Sequence, residues 1–274
     1  MSPELGVLDE GAFDELFDDD ADVALGLLAE LCGATDAGLR ALARSLAARL
    51  FLDVARRERA DAPGIGRIVT TRYQPGAGDL DIDSSMAAII ESRAAGELVD
   101  PEALRVRAWS RPSEAFCVLV DRSGSMHGEP LATAGLTAAS VAAREPREYA
   151  VLSFGKTVIA PKSMWEVRSA DNVIERTLAL RGHGTTDVAS ALMAADDQLR
   201  HASAQRRITV LLSDCRATEP GDYVAAARRL DELVIVAPES DPSDARALAE
   251  AVGARVTTVS GPSDIPAAIA RVLN

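Results

Sequence analysis

Cysteine is scarce in this chain. Cys32, Cys117 and Cys215 lie far apart and none belongs to a Cys-x-x-Cys pair, which excludes a disulfide framework and a thiolate metal cluster; reduced thiols fit a cytoplasmic setting. No apolar run reaches the ~20 residues that span a bilayer, so no membrane is expected. The opening Met-Ser-Pro-Glu-Leu-Gly lacks the basic start and apolar stretch of a secretory signal. Basic residues are also short, 29 Lys and Arg against 42 Asp and Glu, for a net charge of −13. That balance argues against unspecific binding to nucleic acid or anionic lipid and points to a protein partner. Histidine occurs only as His127, His183 and His201, which limits any catalytic reading that needs a base. Internal repeats and low-complexity segments are absent.

What is present is ordinary for a globular protein: 274 residues, 47% apolar and 26% charged. The length suits one large domain with an extension. Acids from Asp9 to Asp22 have no basic residue among them, whereas Arg40 to Arg72 is arginine-rich; both read as solvated helix faces. Ala21 to Leu31 reads as a short helix. Leu39, Leu42, Leu46, Leu50 and Val54 recur at three and four residues, predicting a helix over 36–60 with Asp36 as its N-cap. Gly66 to Tyr73 reads as extended, Ser84 to Ala94 as a helix capped by Asp83 or Ser84, and Leu104 to Trp109 as a strand. The expected division is a helical extension with connecting segment over 1–111 and a second domain over 112–274.

After Pro112 strand and helix alternate. Strands are expected at 116–120, 149–154, 208–212, 233–237 and 255–259, and helices at 131–143, 188–199, 223–230, 242–251 and 265–273. Such alternation implies crossover connections and a doubly wound α/β fold, a mostly parallel sheet covered on both faces.

In such a sheet, ligands sit beyond the carboxyl ends of strands where strand order reverses. The apolar run Ala115 to Val120 ends in Asp121-Arg-Ser-Gly-Ser-Met126, with a carboxylate and two hydroxyls at alternate positions. Ile208 to Leu212 leads to Asp214, and Gly182-His-Gly-Thr-Thr-Asp187 precedes a helix. Three loops thus offer hard oxygen ligands, a set that suits Mg2+ or Mn2+.

Asp121-x-Ser123-x-Ser125, then Thr186, then Asp214 resembles the metal-ion-dependent adhesion site of von Willebrand factor A (VWA) domains over roughly 112–274. The resemblance implies that Ser123, Ser125 and Thr186 touch the metal and that Asp121 and Asp214 hold its waters or switch to direct contact. It also implies an open coordination position filled by an Asp or Glu of a partner protein. Thr186 is matched by its distance to Ala191-Leu192, with the neighbouring Thr185 as the alternative. Cys215 stands where many relatives have glycine, so the backbone there need not follow the family; its thiol is either inert or oxidation-sensitive. Gly78 to Ser85, Arg105 to Pro112, Arg181 to Gly184 and Leu212 to Thr218 are similar to bacterial cytoplasmic CoxE-like proteins and the D subunit of magnesium chelatase, which implies a MoxR-type AAA+ ATPase partner and a role in assembling or metallating other proteins.

Other patterns compete. Asp79, Asp81 and Asp83 mimic a calcium loop, but Ser84 and Ile90 occupy the positions where an EF-hand needs glycine and glutamate. Gly155-Lys156-Thr157 mimics a P-loop and so an ATPase, yet Ala150 replaces the first glycine and the triplet reads better as a hairpin turn leading to a strand over 157–160. A metal-dependent hydrolase or phosphatase would use Asp121 or Ser123 as nucleophile with His127 or His183 near the loops. The leading expectation is a non-enzymatic, metal-dependent protein-binding module.

Overall fold

The computed structural model describes residues 10–34, 36–61, 67–73, 79–110, 113–122, 128–182 and 184–273. The chain packs as two compact units, Met1–Ala62 together with Glu114–Asn274, and Pro63–Ser113. The front helices therefore share a unit with the large sheet.

That unit opens with α1 (Glu10–Asp19), α2 (Ala21–Leu31) and α3 (Ala37–Asp61). Asp20 and Asp36 cap the second and third, accepting from Val23 N at 3.1 Å and Leu39 N at 2.7 Å. The acid-rich sequence of α1, read as a solvated helix face, also hides an apolar side, on which the rings of Phe13 and Phe17 stack at 6.3 Å. In α3 the buried face is Ala43, Ala47, Ala48, Phe51, Leu52 and Ala55, one step round from the expected leucine stripe, of which Leu42 is 44% exposed. Small side chains explain the rotation. The facing helix α5 (Glu129–Arg144) is itself rich in buried alanine, and a β-carbon on its Gly135 would lie 2.6 Å from Phe51 Cε2. Alanine against alanine lets the two backbones approach, and the larger leucines pack at the flank.

The second unit holds β1 (Arg67–Arg72), β2 (Asp79–Leu80), α4 (Ile82–Ala95) and β3 (Arg105–Ser110), with antiparallel order β1-β3-β2. Asp81, not Asp83 or Ser84, caps α4: it accepts from Ser84 N at 3.2 Å, Ser84 Oγ at 3.0 Å and Thr70 Oγ1 at 2.9 Å. Arg107 Nε lies 3.3 Å from the same carboxylate. The Ser84 amide, Thr70 and Arg107 hold Asp81 at about 2, well below the usual carboxylate range. The calcium-like acids are thus divided among a strand, a cap and a first helical turn.

The large sheet is built from β4 (Glu114–Asp121), β5 (Tyr149–Phe154), β6 (Val158–Lys162), β7 (Arg206–Leu212), β8 (Glu232–Pro238) and β9 (Arg255–Val259), in the order β6-β5-β4-β7-β8-β9. All neighbours pair in parallel except β6, which runs antiparallel to β5. The crossovers are α5, α6 (Ala170–Leu178), α7 (Val188–Arg200), α8 (Tyr223–Ala227), α9 (Ser243–Val252) and the closing α10 (Ile265–Leu273). Residues of β4 alternate between two cores. Phe116, Val118 and Val120 face α2, α3, α5 and α10, while Ala115, Cys117 and Leu119 face α7, α8 and α9. The expected doubly wound α/β fold is present. The sequence reading omits α6, whose cap Ser169 accepts from Asn172 N at 3.4 Å and which buries Val173, Ile174, Thr177 and Leu178.

Gly155 to Thr157 form the turn between β5 and β6, with Gly155 N donating to Thr157 O at 3.2 Å. A P-loop must open a helix whose amides face phosphate. Here an edge strand follows, so the ATPase alternative through Gly155-Lys156-Thr157 loses its basis.

At the amino ends of the strands, side chains from the first residues of β4, β7, β8 and β9 form an alternating ionic ladder. Arg144 Nε meets Glu114 at 2.8 Å, Arg206 meets Glu114 and Glu232 at 2.6 Å each, and Arg255 meets Glu232 at 2.6 Å. Its arginines hold Glu232 below the usual carboxylate range. A depressed carboxylate contributes stability above its unfolded value near 4.3, and that contribution is lost as pH falls through the folded value. Arg206→Met should lower unfolding free energy by about 1–3 kcal/mol at neutral pH, discounted for partial exposure. It should also flatten the loss of stability below pH ~4.5. Urea denaturation across pH measures both.

Candidate functional site

The chain leaves β4 to build β5 and β6 on one side, then returns as β7 on the other side of β4. Strand order therefore reverses between β4 and β7, and the loops after them must part, opening a crevice at their carboxyl ends. Asp121 closes β4 at this point. The register pairs Val120 with Leu212, and the next residues, Asp121 and Ser213, are joined side chain to side chain, Ser213 Oγ donating to Asp121 Oδ2 at 2.6 Å. The same hydroxyl accepts from Cys215 N at 2.9 Å, and Arg216 N donates to Asp214 Oδ1 at 3.0 Å. Asp121 is thereby tied to the residue that precedes Asp214, while the Asp214 carboxylate is held by the Arg216 amide.

The third loop is zipped onto the second. Thr186 N donates to Thr218 Oγ1 at 2.7 Å, and Thr186 O accepts from Thr218 N at 3.1 Å and Glu219 N at 3.2 Å. Thr185 gives its hydroxyl to Glu219 Oε1 at 2.5 Å, while Thr186 engages only through its backbone among the described residues and is 2% exposed. Asp187 caps α7, accepting from Ser190 N at 2.9 Å and Ser190 Oγ at 2.6 Å, and its own amide donates to Gly155 O at 3.0 Å. Arg122 Nη2 donates to Thr157 O at 3.2 Å and Thr157 Oγ1 at 3.1 Å, tying the end of β4 to the same turn.

Of the expected site residues, Asp121, Thr186 and Asp214 lie on loops joined by these bonds; Ser123 and Ser125 lie outside the described residues, as do His127 and His183. Sequence reasoning misses Ser213, Thr218 and Glu219, which hold the loops together. The hydroxyl immediately before Asp214 is the signal that could have found the first. His201 ends α7, about 20 Å along the helix from its start at the site, and packs edge-on against Trp165 at 4.8 Å. It therefore lies away from Asp121, and the two histidines that the hydrolase reading would use, His127 and His183, lie outside the described residues. Among the described residues no three His, Cys, Asp or Glu side chains could hold a metal alone. The described donors are instead the carboxylates of Asp121 and Asp214 and the hydroxyl of Thr186, hard oxygens of the kind that suit Mg2+ or Mn2+.

A family model described as VWA domain containing CoxE-like protein matches residues 42–259. No curated protein matches the chain. Solved structures similar to it include a von Willebrand factor type A protein from Catenulispora acidiphila, 16% identical, covering 60% of this chain and 42% of that one at a TM-score of 0.48. An aerotolerance-related membrane protein from Bacteroides fragilis, carrying multiple mutations to serine, is 14% identical and covers 59% of this chain and 98% of its own at 0.46. BatB from Bacteroides thetaiotaomicron is 13% identical and covers 59% and 97% at 0.45.

Cys215 adopts φ 64°, the left-handed region that favours glycine. The backbone therefore takes a glycine-like turn although the residue is cysteine. Its thiol is buried, 2% exposed, and burial, reinforced by Asp214, Asp121 and Asp244, pushes it up to about 12. That favours the inert reading of this cysteine over the oxidation-sensitive one. Cys215→Val should destabilise by about 2–3 kcal/mol, because a β-branched residue resists positive φ. Cys215→Gly should stay within about 1 kcal/mol of wild type, relief of the backbone offsetting lost burial. Urea titration of the two variants decides, and equal losses in both would mean that the turn carries no conformational demand.

Proposed function

The chain belongs to the family of VWA domain containing CoxE-like proteins, and on that premise we propose that it is a metal-dependent protein-binding module, with residues 112–274 as the VWA domain. The observation that carries this reading is the Ser213 bridge, which sets Asp121 beside the Asp214 loop at the one place where strand order reverses. We assign Asp121, Ser123, Ser125, Thr186 and Asp214 as the residues that would hold Mg2+ or Mn2+. Thr186 is preferred to Thr185 because the latter's hydroxyl is committed to Glu219.

When bound, the cation supplies an open coordination position able to take a carboxylate oxygen. The two aspartates bring a formal charge that matches a divalent ion, while the three hydroxyls add none, so an Asp or Glu from a partner gains a direct ionic contact there. The protein's net charge of −13 repels acidic surfaces at long range, so the partner's acid stands in a basic or neutral setting. A MoxR-type AAA+ ATPase or its client is the proposed partner, and the module is an adaptor or assembly factor rather than an enzyme. A cytoplasmic setting belongs to this reading, in keeping with three unpaired, buried cysteines. No helix among the described residues is long and apolar enough to cross a membrane.

Isothermal calorimetry should detect Mg2+ or Mn2+ binding to the wild-type protein, little changed in Thr185→Val, at least tenfold weaker in Thr186→Val and lost in Asp121→Ala. Equal binding by wild type and Asp121→Ala would remove the proposed site. The purified protein should hydrolyse ATP no faster than background, since the Gly155 turn offers no phosphate cradle. Turnover abolished by Lys156→Ala would contradict the hairpin reading.

A further inference from the structure

Beside Asp121 and Asp214 lies a cleft of about 480 Å³ over the carboxyl ends of β4, β7, β8 and β9. Its apolar wall is Val120, Leu212, Val236 and Val259 with Pro130 and Pro238, and Ser240 stands on its exposed rim. Hydrocarbon here adjoins two carboxylates, an arrangement that suits a ligand carrying both an acid and an aliphatic group.

A second groove, of about 450 Å³, continues from the first across the ridge formed by Glu129 and Pro130 at the start of α5. Its far wall is α2, which presents Val23 and Leu27, 48% and 44% exposed, one helical turn apart. Close packing fixes α2 there. Ser263 N donates to Asp22 Oδ1 at 2.7 Å, Gly26 lies against Glu129, and Gly128, at φ 57°, lies against Glu30. The groove therefore belongs to the same unit as the metal-site loops. It is acidic as well as apolar: Glu30 and Glu129 line it, Asp18, Asp19 and Asp20 are exposed at the approach to α2, and no salt bridge among the described residues neutralises Glu30 or Glu129.

Resting on the function proposed above, we infer that the partner segment whose carboxylate reaches the metal also seats a branched aliphatic side chain in the first cleft and lays a basic residue over Glu129 and Glu30, against Val23 and Leu27. The occupant is a single short segment combining acid, aliphatic and base. Charge complementarity selects it. Once a cation offsets Asp121 and Asp214, Glu129 and Glu30 remain as uncompensated charges along the path, so an all-acidic segment is repelled after its first residue. The front helices, which precede the expected domain, thereby become part of the recognition surface.

The test is selection of random linear phage-displayed peptides on the immobilised full chain, in Mg2+ and in EDTA, followed by fluorescence anisotropy of an enriched peptide. The expected result is a Mg2+-dependent consensus of Asp or Glu with Leu, Ile or Val and Lys or Arg close by. Ser240→Trp, which fills the cleft from its rim, should weaken that peptide roughly tenfold, the worth of one lost aliphatic contact. Leu27→Ser should weaken it several-fold, and both variants should bind Mg2+ like wild type and keep the wild-type circular dichroism. Acidic peptides that need Mg2+ but show no aliphatic or basic preference, or that ignore both variants, would overturn this inference and leave the metal-dependent module standing. Peptides enriched equally in EDTA, or no enrichment at all, would count against both.

Discussion

The arrangement of this protein depends on the reversal of strand order between β4 and β7. A parallel sheet that grows first to one side and then to the other must part its loops at the point of reversal. Left to itself such a crevice holds unsupported strand ends. Here Ser213 spans it, donating to Asp121 and accepting from the amide of Cys215, the residue that takes the left-handed turn after Asp214. The Thr186–Thr218 and Thr185–Glu219 bonds then bring the third loop to the same edge. None of these bonds requires a metal, so the chain itself sets the positions of Asp121, Asp214 and Thr186.

The two ends of the sheet divide the work. At the amino ends, charges alternate from strand to strand and are paired by Arg144, Arg206 and Arg255, which satisfies them and leaves little to offer a ligand. At the carboxyl ends, Asp121, Asp214 and Glu129 line one cleft with no arginine or lysine among its described lining residues. Arg216 turns to Asp241 and Asp244 instead, leaving Asp214 with a backbone amide. Concentrated like charge is unfavourable unless a cation or partner relieves it. A ladder that stabilises one end makes an acidic opposite end tolerable.

Much of this was legible in the sequence because it rests on local pattern. Strand–helix alternation after Pro112 and caps such as Asp36 depend on neighbours along the chain. The placing of Asp121 and Asp214 at adjoining strand ends was legible for the same reason, since a polar residue closing an apolar run is a local signal. Less legible were features set by distant residues. The buried face of α3 follows the alanine surface of α5 rather than its own leucines, α1 conceals two phenylalanines among acids, and the cap of α4 falls on Asp81 because Thr70 and Arg107 also need it. Thr218 and Glu219 have roles that exist only once the loops meet, and no spacing rule points to them; Ser213 was marked only by its place before Asp214.

The segments Gly78 to Ser85 and Arg105 to Pro112, which carry the narrower resemblance to CoxE-like proteins, acquire a physical meaning in the small unit. Asp79 is the register partner of Arg107, Asp81 N donates to Arg105 O at 2.8 Å, and the buried Ser85 hydroxyl accepts from Arg105 N at 2.9 Å. One carboxylate, Asp81, joins β1 through Thr70, β3 through Arg107 and α4 through its cap. A three-stranded sheet with one helix has little core to hold it, and a shared buried acid with several donors can substitute for part of that core. The acids that resemble a calcium loop and the arginines Arg105 and Arg107 are therefore two halves of one structural lock. Their spacing is set by the fold of this small unit.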